Sequence, residues 1–227
     1  MLPTFRAVVL DLDGLILDTE PTYHRAWQQT AAELGFKFTP ELSRRLEGQS
    51  IDNVARILAE AFGPGFDFET FHRLSVRRWR EWVETHGIGV KPGYEKLMAI
   101  LRQYRIPYLL ATNSQRQYAV KCLTLAGIAK DFSQIVSRDD VTEGKPSPDI
   151  YLQACSKLAI PPPLCLGVED SHPGILAAYR AGTKPVLIPD KTPTNSKIES
   201  LAVARFVSLE QLAECIKEEA VQPQGSV

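Results

Sequence analysis

The stretch Ala7-Val8-Val9-Leu10-Asp11-Leu12-Asp13-Gly14 decides how the rest of the chain is read. Its first four residues are apolar without a break and two are β-branched, the texture of a strand buried in a parallel sheet. Asp11 follows at once, so its carboxylate stands at the C-terminal end of that strand, the edge where open α/β sheets bind ligands. Asp13 comes two residues later, and Gly14 lets the chain turn sharply. Two carboxylates this close repel each other. They coexist if a cation lies between them or if one stays protonated.

Beyond this stretch the chain has two textures. From Asp18 to about Lys91 the pattern is helical. Asp18 or Thr19 caps a helix with Pro21 in its first turn, and Tyr23, Ala26, Trp27, Ala31 and Leu34 fall at helical spacing before Gly35. Thr39-Pro40 opens a second helix, Ser50 precedes a third, and a fourth runs from Phe68 to His86 with Phe71, Leu74, Trp79, Trp82 and Val83 inward. Four helices without a strand predict a small bundle.

After Pro92-Gly93, helices alternate with short apolar runs: strands at Tyr108–Ala111, Gln134–Val136, Leu164–Val168 and Val186–Ile188, with helices between them. Such alternation predicts a parallel sheet. The expected fold is therefore α/β: a doubly wound, Rossmann-like core over residues 1–16 and 92–227, with an α-helical domain inserted at 17–91.

Composition narrows the function classes. A chain of 227 residues, 44% of them hydrophobic, can bury a sizeable core. The formal net charge of −1 and the lack of long basic runs argue against a nucleic-acid partner. Cys122, Cys155, Cys165 and Cys215 show no CxxC spacing and are expected as reduced thiols of a cytoplasmic protein. There is no signal-peptide pattern, and no run approaches the ~18 apolar residues of a membrane span.

Three more polar features follow strands. Thr112-Asn113-Ser114 succeeds Tyr108–Ala111, Lys145 lies just ahead of a helix, and Glu169-Asp170-Ser171 succeeds Leu164–Val168. In a parallel sheet all of these open on one edge and can meet Asp11 and Asp13. Clustered carboxylates suit Mg²⁺, while a lysine and a hydroxyl-bearing loop suit a phosphate dianion. Asp139 and Asp140, just before Lys145, are expected to be solvated or to orient that lysine. Tyr151 and Tyr179 sit at core spacing.

These motifs, in this order, resemble the haloacid dehalogenase superfamily, in its phosphatase and β-phosphoglucomutase-like branch, over Arg6 to about Asp190. The resemblance implies that Asp11 is the nucleophile and Asp13 the general acid/base. Thr112, Asn113 and Lys145 would hold the transferring phosphoryl group. Mg²⁺ would be ligated by Asp11, the backbone carbonyl of Asp13 and Asp170, with Glu169 assisting directly or through water. The helical insert would be the mobile cap, with Glu20, the Gly48-Gln49-Ser50 turn and Arg78 as its candidate substrate contacts. Together with the lack of a dimerising heptad, it points to a monomer acting on a small phosphorylated metabolite.

Chemistry argues the same way. A phosphate dianion repels an attacking carboxylate, so neutralising charge is needed, and the leaving alkoxide needs a proton that Asp13 can supply. Ile51, directly after the Gly48–Ser50 turn, stands where mutase relatives carry a phosphate-binding arginine, which favours a phosphatase over a phosphosugar mutase. A signalling module phosphorylated on Asp is the third alternative. Receivers, however, carry their acidic pair ahead of the phosphorylated Asp and lack a helical insert.

Overall fold

The computed structural model describes residues 2–46, 51–190 and 196–221. β1 (Ala7–Leu10) leads to the two-residue β2 (Leu17–Asp18). Four helices follow, α1 (Glu20–Glu33), α2 (Pro40–Leu46), α3 (Ile51–Phe62) and α4 (Phe68–His86), and then the two-residue β3 (Gly89–Val90). The chain continues through α5 (Tyr94–Gln103), β4 (Tyr108–Ala111), α6 (Arg116–Leu125), β5 (Ile135–Val136) and α7 (Asp149–Leu158). It ends with β6 (Cys165–Glu169), α8 (His172–Arg180), β7 (Lys184–Leu187), α9 (Ser196–Glu199), β8 (Ala204–Arg205) and α10 (Leu209–Val221). Residues 1–17 with 90–227 form one compact unit and residues 18–89 a second.

The first unit is built on a six-stranded sheet in the order β5-β4-β1-β6-β7-β8, with every neighbouring pair parallel. β1 is fully buried, as its unbroken apolar run requires. It lies between β4 and β6, and strand order runs away from it in both directions, which makes it the switch point of the sheet. Leu10 pairs with Leu110 on one side and Val168 on the other, so β1, β4 and β6 end level with one another. Under the sheet, α7 buries Ile150, Tyr151, Ala154 and Cys155, one helical stripe against Ala7, Val9, Leu109 and Ala111. Full burial of each large aliphatic side chain there contributes roughly 1.5–3 kcal/mol.

The second unit is held by aromatic packing. Ala31, Leu42, Leu46, Val54, Ile57, Leu58 and Phe71 form its core, with Phe36, Phe62 and Phe66 packed on it. Phe36 and Phe62 stack at 4.7 Å, and Phe66 meets Phe71 edge-on at 5.4 Å. The Trp79 indole donates to Thr22 Oγ1 at 2.9 Å, tying α4 to α1. Asp67 caps α4 by accepting from the Glu69 and Thr70 amides.

Five local expectations change. Thr19 occupies the N-cap of α1 but makes no side-chain cap bond, because its backbone is already helical. On α4, Ser75 is buried where Leu74 was expected, since the inward stripe runs Phe71, Ser75, Trp79, Val83 at steps of four. β7 starts at Lys184, two residues before its most apolar part, and β8 adds an edge strand too short to show periodicity. Tyr179 is 53% exposed, and α8 buries its smaller neighbours Ala177 and Ala178. Among the described residues no helix is long and apolar enough to cross a membrane.

Candidate active site

The level ends of β1, β4 and β6 deliver the polar residues to one rim. Asp11 leaves β1 with its N–H still bonded to the Val168 carbonyl at 3.1 Å, and Thr112 leaves β4 with its N–H on the Val136 carbonyl at 2.9 Å. Lys145 arrives from the loop ahead of α7, its side chain only 3% exposed. Its Nζ donates to Asp11 Oδ1, to the Ala111 carbonyl at 2.8 Å and to Glu169 Oε1 at 2.6 Å.

The loop carrying Lys145 is held by Asn113. The Lys145 N–H donates to Asn113 Oδ1 at 2.7 Å, and Asn113 Nδ2 donates back to the Lys145 carbonyl at 3.1 Å. The Asn113 side chain therefore anchors the lysine loop, a task not foreseen for it. Asp139 is exposed, and its Oδ2 accepts from the Arg116 N–H at the start of α6 at 2.7 Å; Asp140 Oδ2 accepts from the Ser137 N–H at 2.7 Å. Thr112 is buried, and its hydroxyl accepts the Ser114 N–H at 3.0 Å.

Carboxylate oxygens of Asp11, Glu169 and Asp170 lie within 4.8 Å of one another. Two glycines make this crowding possible. Gly14, at φ +88°, has a left-handed backbone, and a Cβ there would strike the Asp170 carboxylate. A Cβ on Gly174 of α8 would overlap the Glu169 carboxylate. Burial raises the Asp11 pKa to about 8, with the charges of Glu169 and Asp13 adding to the rise and Lys145 opposing it. Burial also pushes Asp170 well above the carboxylate range, with Asp11 and Glu169 contributing. For Lys145, burial favours the neutral amine, but the facing Asp11 and Glu169 carboxylates outweigh it and its pKa ends above the ordinary value. Three carboxyl groups gather here, two of them on the Lys145 ammonium, and this oxygen donor set fits a hard divalent cation.

Two tyrosines of this site were not foreseen. Tyr151, read as core packing, is fully buried, and its phenol donates to Glu169 Oε1 at 2.7 Å. Glu169 also accepts from Ser171 Oγ at 3.2 Å and the lysine, so three donors orient it. The available signal was a phenol at a wholly apolar helix position, since a buried hydroxyl needs a partner. Tyr118, in the first turn of α6, donates to Asp13 Oδ1 at 3.2 Å, and Ser114 Oγ donates to Asp13 Oδ2 at 2.7 Å.

Two of the candidates of the helical unit, Glu20 and Arg78, lie among the described residues. Glu20 is half-buried as the first residue of α1. Arg78 pairs with Glu33 of α1, its Nε donating at 2.9 Å, which occupies the guanidinium within its own unit. Gly48, Gln49 and Ser50 lie outside the described residues.

A family model for haloacid dehalogenase-like hydrolases matches residues 5–182. The chain belongs to the haloacid dehalogenase-like hydrolase family. It is similar to the phosphorylated carbohydrates phosphatase of Thermotoga maritima, 30% identical over 214 residues that cover 93% of this chain and 98% of the relative. A β-phosphoglucomutase of Bacillus subtilis is 30% identical over 183 residues, covering 78% and 80% of the two chains. Among solved structures, a HAD family hydrolase from Deinococcus radiodurans with bound phosphate and sodium has a TM-score of 0.80 at 27% identity, covering 96% and 98%. In this haloacid dehalogenase-like hydrolase the matched span includes every rim segment from Asp11 to Asp170 and the whole helical insertion.

Proposed function

We propose that this phosphoric monoester hydrolase is a Mg²⁺-dependent phosphatase of a small phosphorylated metabolite, a sugar or nucleoside phosphate, working through an aspartyl-phosphate on Asp11. One observation carries the reading: a buried carboxylate, Asp11, sits against a single ammonium, Lys145, with two further carboxylates within 4.8 Å. Asp11, Asp170 and the main-chain carbonyl of Asp13 would hold the ion, with Glu169 behind them. When bound, Mg²⁺ supplies the positive charge that offsets repulsion between two anions.

The chain's own groups do the rest. An Asp11 oxygen attacks phosphorus, and the ester bond to the leaving oxygen breaks. Lys145, the Thr112 hydroxyl and the Asn113 backbone N–H hold the phosphoryl oxygens, a role for the Asn113 main chain that leaves its side chain on the lysine loop. Asp13 gives its proton to the leaving oxygen and later takes one from the water that cleaves the aspartyl-phosphate. Residues 17–91 serve as the cap that selects among substrates, with Glu20 and the Gly48–Ser50 turn as contacts.

The test is a screen of phosphorylated metabolites for phosphate release with Mg²⁺, with chelator, and with Asp11→Asn. Turnover lost in the last two cases is expected; a stable phosphoprotein without turnover would sink the proposal in favour of signalling. A mutase is the second reading, favoured by the similarity to β-phosphoglucomutase and by the exposed Arg77 and Arg80 of α4. Hexose 1-phosphate supplied with its bisphosphate separates the two: free phosphate marks the phosphatase, an isomeric hexose phosphate the mutase.

A further inference from the structure

Both oxygens of the Asp13 carboxylate are held by hydroxyl donors from the segment that follows β4. Ser114 Oγ reaches Oδ2 at 2.7 Å and the Tyr118 phenol reaches Oδ1 at 3.2 Å. These bonds join residues 101 and 105 positions apart in the chain. Asp13 is half-buried, and Ser114 pins one of its oxygens. Tyr118 pins the second. Its ring comes from α6, whose neighbouring Ala119 is buried, so the phenol is carried by a packed helix rather than a loose loop.

We propose that Tyr118 is a positioning residue for Asp13. It fixes the carboxyl so that its proton is aimed at the ester oxygen as the bond to phosphorus breaks. In that step an Asp11 oxygen–phosphorus bond forms and the phosphorus–ester oxygen bond breaks. The proton leaves Asp13 for the departing oxygen, Asp13 is left as the carboxylate, and Tyr118 keeps its own proton throughout. The inference rests on Asp13 being the general acid. Proton delivery needs hydrogen-bond reach and correct orientation, and a misaimed acid loses rate without loss of binding.

The consequence is selective. An alkoxide must be protonated as it leaves, whereas a nitrophenolate leaves unaided, so loss of aim harms only the first. The probes are 4-nitrobenzyl phosphate and 4-nitrophenyl phosphate, which differ by one methylene, and kcat/KM follows each through loss of the leaving group. Tyr118→Phe removes only a hydroxyl, and a thermal melt checks that the fold is kept. The expected result is a fall in kcat/KM of about tenfold on the benzyl ester, the scale of one hydrogen bond to a charged group, against about twofold or less on the phenyl ester. Asp13→Asn should show the same selectivity at roughly 10²-fold or more. Equal losses on both esters with Tyr118→Phe, or none on either, while Asp13→Asn stays selective, would overturn the role of Tyr118 alone. An Asp13→Asn variant that slows both esters equally would overturn the acid role of Asp13, and the proposal with it.

Discussion

The sheet unit and the helical unit bury different kinds of polar group. Among the described residues the sheet unit buries, beside hydroxyls such as Thr112, the ionisable Asp11 and Glu169 and the Lys145 that pairs with both, while the buried polar residues of the helical unit are Thr19, Thr22, Thr30 and Ser75. A charged cluster of the helical unit stays at the surface: Arg45 and Arg56 both pair with Glu60, with all three side chains about half exposed or more. Burying ions costs stability unless each is paired and hydrogen-bonded, so packing alone gives no reason to place them inside. Where they persist at the switch point of a sheet, chemistry is the reason. The sheet unit thus carries an electrostatic load in its interior, and the helical unit carries apolar packing.

The contrast is broken most severely at Asp11. Asp11→Asn should lower phosphate release by at least ~10³-fold, because the attacking oxygen is gone, while thermal melts show a folded protein. Loss of folding in place of loss of rate would mean that the buried charge is structural. Phe71→Ala tests the opposite side. Phe71 is 1% exposed at the centre of the aromatic core, and its truncation should cost about 3–5 kcal/mol in denaturant unfolding of the helical unit. A shift under about 1 kcal/mol would show that this unit is not held by apolar packing.

The pH dependence sharpens the comparison further. Without metal, Asp11 keeps its proton up to about pH 8 in the folded protein against an ordinary value of 3.8, so the native state binds more protons in that window. Its contribution to stability therefore falls as pH rises from about 4 to 8. Chelated wild type should lose melting temperature between pH 5 and 8 relative to Asp11→Asn, and added Mg²⁺, which competes with protons for the carboxylates, should recover most of it at pH 8. Parallel profiles for the two proteins would remove this buried-charge account. The smallest effect is expected at the helical surface. Arg45→Ala breaks an exposed pair with Glu60, and its melting temperature should stay close to wild type in 0.15 M salt.

Residues adjacent in the chain were legible to different depths. Asp11, Thr112 and Asp170 follow apolar runs, so local pattern places them at strand ends and the parallel topology brings those ends level. The partners of those groups were not legible. Asn113 meets Lys145 across 32 residues, Tyr151 meets Glu169 across 18, and Tyr118 meets Asp13 across 105. No periodicity encodes such pairings. Tyr151 shows the limit best, because its helical spacing signals burial correctly yet cannot tell which atom its hydroxyl will find. Ser75 shows the converse: Leu74 is more apolar, but the face of α4 is set by Phe71, Trp79 and Val83 together.

What the amino-acid order determined alone is the alternation of elements, the strand-end carboxylates, the lysine ahead of α7 and the glycine needed after Asp13. These follow from local sterics and from which residues shun water. Tertiary structure decided who touches whom at the rim: the Asn113 clasp on Lys145, the three donors on Glu169 and the two hydroxyls on Asp13. Hydrogen bonds need atoms within about 3 Å at defined angles, and only the packed sheet, with helices at fixed offsets on it, sets distances on that scale.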